Sequence, residues 1–283
     1  MTKRPTGLAL ETLAAAPVAA PARGLPMPAE LLDRYGGPLA IALAADRPTV
    51  AVNFVSSLDG IVALGGDEPA GGGVISGHFE PDRFVMALLR ALADVTLMGA
   101  GTVAGSSSTD WTPEHLAPAH ASALAEWRAD LGLAPHPTTV IVTSGDVRLG
   151  RHGLDDPNLP VVLLTTESGA AELAARGFGE HVEILAAGGG ERVTPEQIAR
   201  FVGRYRNGLV LCEGGPHLLG DLVSADIVDE LFLTVAPQLV GRDRDRLGLV
   251  EGVALAPADA QWFTLSSVKR AEEHLFLRYR RRT

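Results

Sequence analysis

A chain of 283 residues with 46% hydrophobic and 20% charged residues carries enough apolar material for one large or two small domains, in the balance of a globular protein. Its formal charge of −10 argues against a nucleic-acid surface, because counterion release needs clustered cations and these gather only at Arg278 to Arg282, which read as a solvated strand end. One cysteine, Cys212, excludes an internal disulfide framework and a multi-cysteine zinc site; lying at the end of an apolar run, it reads as buried packing.

Met1 to Ala20 imitates a signal peptide, but Glu11 interrupts its apolar part and Pro17 breaks it. No stretch reaches the ~20 uninterrupted apolar residues of a membrane helix, so no membrane partner and a cytoplasmic location are expected. Residues 1–48 are rich in Ala and Pro, with prolines from Pro17 to Pro48 spaced against any long helix. They predict an N-terminal extension, partly ordered around Leu31 to Tyr35.

From Thr49 the texture changes to alternating strands and helices. A strand is expected at 49–56, an amphipathic helix at 81–93 with Pro81 and Asp82 suited to its first turn, and a strand at 94–98. A helix at 117–131 and a strand at 138–143 follow. The second half predicts a strand at 160–165, a helix at 168–176, a strand at 182–186 and a helix from Thr194, where Thr194-Pro-Glu-Gln197 spells a capping box. A strand at 208–212, a short helix from Pro216 and a strand at 228–235 come next. Runs at 261–268 and 274–281, separated by a charged turn from Lys269 to Glu273, read as a hairpin closing one sheet edge. The alternation predicts one α/β domain over 49–283, with a mostly parallel central sheet, helices on both faces and a C-terminal antiparallel hairpin.

Two glycine-marked turns follow apolar runs, Asp94-Val-Thr-Leu-Met-Gly-Ala-Gly-Thr102 and Leu209-Val-Leu-Cys-Glu-Gly-Gly-Pro216. Each reads as a buried strand that turns sharply and brings backbone N–H groups close to a phosphate. Gly99 and Gly101 alone are as consistent with a structural turn, because the third glycine falls one residue late for a dinucleotide fingerprint. Gly214, Gly215 and Pro216 are the stronger signal, since Pro216 opens a helix whose apolar face is Leu218, Leu219 and Leu222. His217 reads as a surface cap residue. Two such turns at one end of a parallel sheet would form a crevice. Asn53 puts an amide inside an apolar strand, where it needs either a core partner or a ligand. Ser57, Asp59 and Gly60 also read as a plain turn, and Arg90 suits a helix-surface ion pair to Asp94. The eight histidines show no paired metal spacing, so no metal is expected.

Four ordered blocks, Asn53 to Gly60, Asp82 to Thr102, Glu213 to Gly220 and Val228 to Gly241, together resemble the pyrimidine reductase family of riboflavin biosynthesis, whose fold is dihydrofolate-reductase-like. The resemblance implies an NADPH-dependent reduction of a 5-amino-6-(5-phosphoribosylamino)uracil-type substrate to its ribitylamino product, carried out by a homodimer. It places Val55, Ser76, Thr102, Ser106, Ser144 and the run from Gly215 through His217, Leu218 and Leu219 to Asp221 near the cofactor. Arg90 and Glu213 would face the substrate with Asn53 and Ser57, Glu213 binding pyrimidine N–H groups or steering the proton, with Asp59 second in that role. Ser144 and Arg148 are the candidates for the 2′-phosphate of NADPH. The chain departs from the family where bifunctional members carry Lys in place of Asn53, where Ser106 to Ser108 replace Asp-Asp-Pro, and in having no zinc deaminase ligands within 1–48. Those departures leave open a dihydrofolate or other pteridine substrate, or a dinucleotide-binding protein without turnover.

Overall fold

The computed structural model describes residues 8–17, 22–65, 72–105, 111–145 and 154–282. The first half carries β1 (Glu11–Ala15), α1 (Ala29–Tyr35), β2 (Thr49–Ser56), β3 (Ile61–Ala63), α2 (Gly72–Ile75), α3 (Glu80–Leu92), β4 (Val95–Gly99), α4 (Ala100–Gly105), α5 (Pro113–Leu116), α6 (Ala121–Asp130) and β5 (Thr138–Val142). The second half carries β6 (Val161–Thr165), α7 (Glu167–Ala174), β7 (Val182–Ala186), α8 (Pro195–Val202), β8 (Leu209–Cys212), α9 (Pro216–Ser224), β9 (Glu230–Val235), β10 (Leu247–Gly248), β11 (Phe263–Ala271) and β12 (His274–Arg281).

Ten strands form one sheet in the order β1-β11-β12-β9-β2-β8-β4-β5-β6-β7. Every pairing from β9 across to β7 is parallel, and β12, β11 and β1 add on antiparallel. This is the expected mostly parallel sheet with its C-terminal hairpin. β2 is buried at all eight positions, as a strand covered on both faces must be. On one face α3 packs Phe84, Leu88 and Leu92 against Ala51, Leu211 and Phe232. On the other, α8 and α9 pack Ile198, Leu219 and Leu222 against Val52, Val210 and Cys212. The capping box at Thr194 forms as its spelling predicts, Thr194 Oγ1 accepting from Gln197 N and the Gln197 side chain from Thr194 N.

Three stretches depart from the sequence reading. In the segment before Thr49, β1 pairs with β11, while Leu10, Leu31, Leu39 and Ile41 are at most 3% exposed in the core beside α3. The sheet edge is therefore β1 and not the hairpin. The charged turn is shorter than expected, because β11 runs on to Ala271 and buries Lys269. The Lys269 ammonium donates to Thr12 Oγ1 (2.6 Å) and Gly36 O (2.9 Å) and sits 4.3 Å from the Tyr35 ring centre, so partners more than 230 residues away make a lysine tolerable inside the strand. The helix expected at 117–131 begins only at Ala121, since Pro118 starts a separate single turn. A small pairing of β10 with β3 was not foreseen.

Arg128 fixes the end of α3. Buried at 1% exposure, it donates Nη1 to the carbonyls of Arg90, Ala91 and Ala93 (each 2.9 Å), and Nε and Nη2 to the Ala134 carbonyl at 3.0 and 2.7 Å. The carbonyls at a helix C-terminus have no partner within the helix, and here one planar guanidinium supplies it.

Candidate active site

The connection after β4 runs to β5 on one side, whereas that after β8 runs to β9 on the other, so β8 and β4 flank a topological switch point. Open α/β sheets bind ligands in the crevice that such a switch leaves at the carboxyl ends of the strands. Both glycine turns lie there and touch each other: Gly99 N donates to Gly214 O (2.8 Å), and Glu213 N to Leu97 O (3.1 Å). Gly214 has φ +111°, a conformation that favours glycine, and the Gly214–Gly215 peptide is cis. A Cβ on Gly215 would stand 3.0 Å from Thr102 Oγ1, and one on Gly99 3.5 Å from Gly215 N. The turns are thus packed backbone to backbone, with Thr102 of α4 between them.

Pro216 is the first residue of α9, with no N–H to leave unpaired. Leu219 N donates to Gly215 O (3.0 Å), whereas the His217 and Leu218 amides have no partner among the described residues. These two donors at the positive end of a nine-residue helix, beside glycines that admit a close approach, fit the pyrophosphate of a dinucleotide. The side chains of Leu218 and Leu219 are buried in the core, so only their backbone could meet a ligand there; His217 is exposed. Gly101 is also exposed and open above. Ser144 is exposed just past the end of β5, one strand farther along the sheet. Ser106, with the run to Ser108, and Arg148 lie outside the described residues.

On the α3 face of the same crevice, Arg90 meets Glu213. Arg90 Nε lies 3.0 and 2.8 Å from the two Glu213 oxygens and Nη2 lies 2.7 Å from Oε2, with both side chains at most 6% exposed. The helix-surface pair with Asp94 does not form. Asp94 is held instead by Arg23 and by the Leu209 amide (2.7 Å). One Arg90 nitrogen, Nη1, is buried with no hydrogen-bond partner, an orphan donor in a site otherwise closed. Both Glu213 oxygens accept from Arg90, so the carboxylate anchors the guanidinium. Asn53 is 8% exposed and has no side-chain partner among the described residues, leaving the ligand-facing reading of that residue in place.

Two sequence candidates are occupied elsewhere. Ser57 Oγ donates to Asp59 Oδ1 (2.6 Å) and accepts from Ile61 N (3.0 Å), closing the turn from β2 to β3. Asp59 also accepts from the amides of Val240 (3.3 Å) and Gly241 (2.7 Å), and the Ser57 hydrogen bond leads these contacts in holding its carboxyl below the usual range. Asp59 thus joins two loops, and Ser57 to Gly60 form the turn that the residues also spell. Val55 packs with Ile75 and Ala236, and Ser76 is 2% exposed at the end of α2.

Asp82 was missed, because an acid in the first turn of a helix reads as a dipole partner. It is 5% exposed, and burial pushes its carboxyl up to about 6 against hydrogen bonds from Thr234 and Ser76. Among the described residues no group of three or more His, Cys, Asp or Glu is placed to hold a metal, and no helix is long and apolar enough to cross a membrane.

Comparison with known proteins finds relatives and a family for the chain. The 2,5-diamino-6-ribosylamino-4(3H)-pyrimidinone 5′-phosphate reductase of Archaeoglobus fulgidus is 30% identical over 196 residues, 69% of this chain and 83% of that protein. The enzyme of the same name from Methanothermobacter thermautotrophicus is 27% identical over 234 residues, 82% of this chain and 98% of that protein. A pyrimidine reductase-like protein of Corynebacterium diphtheriae shares the fold, with a TM-score of 0.63 at 20% identity over 83% of this chain and 92% of that one. The model of the RibD C-terminal domain matches residues 48–270, and the chain belongs to that family.

Proposed function

We propose that this chain is an NADPH-dependent reductase of riboflavin biosynthesis that converts a ribosylamino pyrimidine 5′-phosphate to its ribitylamino product. The observation that carries the reading is the switch-point crevice, with two interlocked glycine turns on one side and the Arg90–Glu213 pair on the other. When bound, the dinucleotide supplies the hydride. Thr102, Gly214, Gly215 and the first turn of α9 hold its phosphates, and Ser144 with Arg148 takes the 2′-phosphate. Glu213 fixes the plane of the Arg90 guanidinium, so that the two hydrogens on Nη1 are offered to an oxygen of the substrate. Asn53 supplies a second, neutral contact.

The test is the loss of dinucleotide absorbance with each of three compounds: 2,5-diamino-6-ribosylamino-4(3H)-pyrimidinone 5′-phosphate, 5-amino-6-(5-phosphoribosylamino)uracil and dihydrofolate. Oxidation of NADPH with a ribosylamino pyrimidine and none with dihydrofolate is expected, and the preferred pyrimidine tells whether C2 carries an amino group or a carbonyl. Turnover of dihydrofolate alone overturns the substrate; a preference for NADH overturns the cofactor. Gly215→Ala should weaken NADPH binding ~10-fold, about 1.4 kcal/mol, because its Cβ must push against Thr102. A titration calorimeter reading the same affinity as the parent would remove Gly215 from the cofactor site.

A homodimer is part of the proposal. One face of β9 and β12 carries the cross-strand pairs Leu231 with Tyr279, Leu233 with Leu277 and Val235 with Leu275, all partly or fully exposed. A second copy of the chain would cover this apolar row. Leu277→Asp is expected to leave a folded monomer, read by sedimentation equilibrium, and a variant of unchanged mass in solution moves the contact elsewhere.

A further inference from the structure

Two arginines cap the last carbonyls of α3. Arg128 takes those of Arg90, Ala91 and Ala93, and Arg23 takes the one between them, donating Nη1 to Leu92 O at 3.1 Å. The same nitrogen of Arg23 pairs with the Asp94 carboxylate. Asp94 in turn grips the first residue of β8, its Oδ2 accepting from Leu209 N (2.7 Å) and its own N–H donating to Leu209 O (2.9 Å). Arg23 and Asp94 therefore tie the end of α3 to the start of β8. These two elements carry the site pair: Arg90 lies one helical turn before Asp94, and Glu213 directly follows β8.

Arg23 is itself held at its backbone. Its N–H and carbonyl both bond Ile41 (2.9 Å each), a fully buried residue. The next residue, Gly24, has φ +108°, and a Cβ there would meet the Leu39 carbonyl and stand 3.3 Å from Leu92 Cδ2, so the segment lies against the end of α3 with no side chain between them. Arg90 is rooted in this last turn, at the amino ends of β4 and β8, yet its guanidinium meets Glu213 at their carboxyl ends. Helical side chains lean toward the helix N-terminus, which sends Arg90 along the four residues of β8, a span of about 13 Å at ~3.3 Å per residue. A long side chain anchored at its base carries any tilt of that base to its tip.

We propose that Arg23, in the segment ahead of the sheet, is a positioning residue for the substrate: through Leu92 and Asp94 it sets where the Arg90 guanidinium stands in the crevice. This role rests on the reductase reading above. Arg128 does not duplicate it, because its other partners are the Ala134 and Pro135 carbonyls beyond α6, whereas Arg23 with Asp94 fixes α3 against β8, the strand that carries Glu213. Arg23 touches neither substrate nor cofactor. It stands at the end of the sheet away from the glycine turns, so dinucleotide binding does not depend on it.

Arg23→Ala removes the tie and leaves Arg128 in place. Assayed well below its melting temperature, the variant should show kcat/KM for the ribosylamino pyrimidine lower by roughly 10–10²-fold, the order expected of a misplacement near 1 Å, with a raised KM and parental dinucleotide affinity. A loss of stability alone would lower the active fraction and leave KM unchanged. Arg23→Lys keeps a cation for Asp94 without the planar fork, and should recover part of the loss; it carries the same comparison if Arg23→Ala does not fold. The ligand-free protein gives an independent readout, the Arg90 Nε–H signal in proton–nitrogen spectra, assigned by its absence in Arg90→Lys. Bound to both Glu213 oxygens, that hydrogen should exchange slowly in the parent, and shift and exchange faster in the Arg23 variants. An active parent with variants of parental KM, or an Arg90 signal that does not move, overturns the positioning role alone. A parent that oxidises no dinucleotide with either pyrimidine overturns the reductase reading, and the substrate role of Arg23 with it.

Discussion

Glu213→Gln is expected to destabilise the protein by about 3–5 kcal/mol and to abolish most turnover, because it leaves the Arg90 guanidinium charged, buried and without its counterion. The loss would come less from the missing attraction than from the uncompensated charge. A double variant separates these terms. Arg90→Met with Glu213→Leu replaces the pair with apolar groups of similar length, and such replacements of buried ion pairs are often neutral or stabilising. Urea melts should therefore show the double variant recovering most of the stability lost in Glu213→Gln, while its turnover stays as low. If the double variant is also active, the pair is a structural brace and the substrate is held elsewhere. If Glu213→Gln is as stable as the parent, the carboxylate is not the counterion its distances indicate.

Arg128→Met should be nearly as damaging. It removes six hydrogen bonds from a charged donor to five carbonyls, among them those of Arg90, Ala91 and Ala93 at the end of α3. Hydrogen bonds to charged groups contribute about 1.5–3 kcal/mol each when measured singly, but the contributions are not additive, and a total near 4 kcal/mol is the expected order. Arg128→Lys should recover only part, since an ammonium has three donors and no planar fork. Denaturant midpoints decide this. Amide exchange at Ala93 and Asp94 should accelerate before global unfolding, because the end of α3 is the part left without partners. A variant that melts like the parent would mean that water replaces the guanidinium at this site.

The strands of the central sheet were legible because each is a short apolar run ended by a turn residue, and β2, β4, β6 and β8 need no knowledge of their neighbours to be recognised. The two glycine turns were legible for the same local reason, and the topology alone makes them one crevice. What escaped the sequence is what depends on partners far along the chain. Lys269 looks like a turn residue until Thr12 and Gly36 are placed beside it. Arg128 looks like a surface cation until it is seen among the carbonyls of α3. Asp94 had a plausible partner four residues before it, and the competition was won by Arg23, 71 residues away. Asp82 gave no signal that separates a first-turn acid from a buried one.

The pairing of β1 with β11 joins residues as far apart as Glu11 and Arg270, 259 positions along the chain. A strand made among the first residues thus has no partner until nearly all the rest has been synthesised, and closing so long a loop carries a high entropic cost. The opening residues must wait beside the growing chain, and the parallel strands from β2 to β8 can assemble without them. At this edge the order of assembly then runs against the order of synthesis: β1 is laid down over a hairpin made long after it.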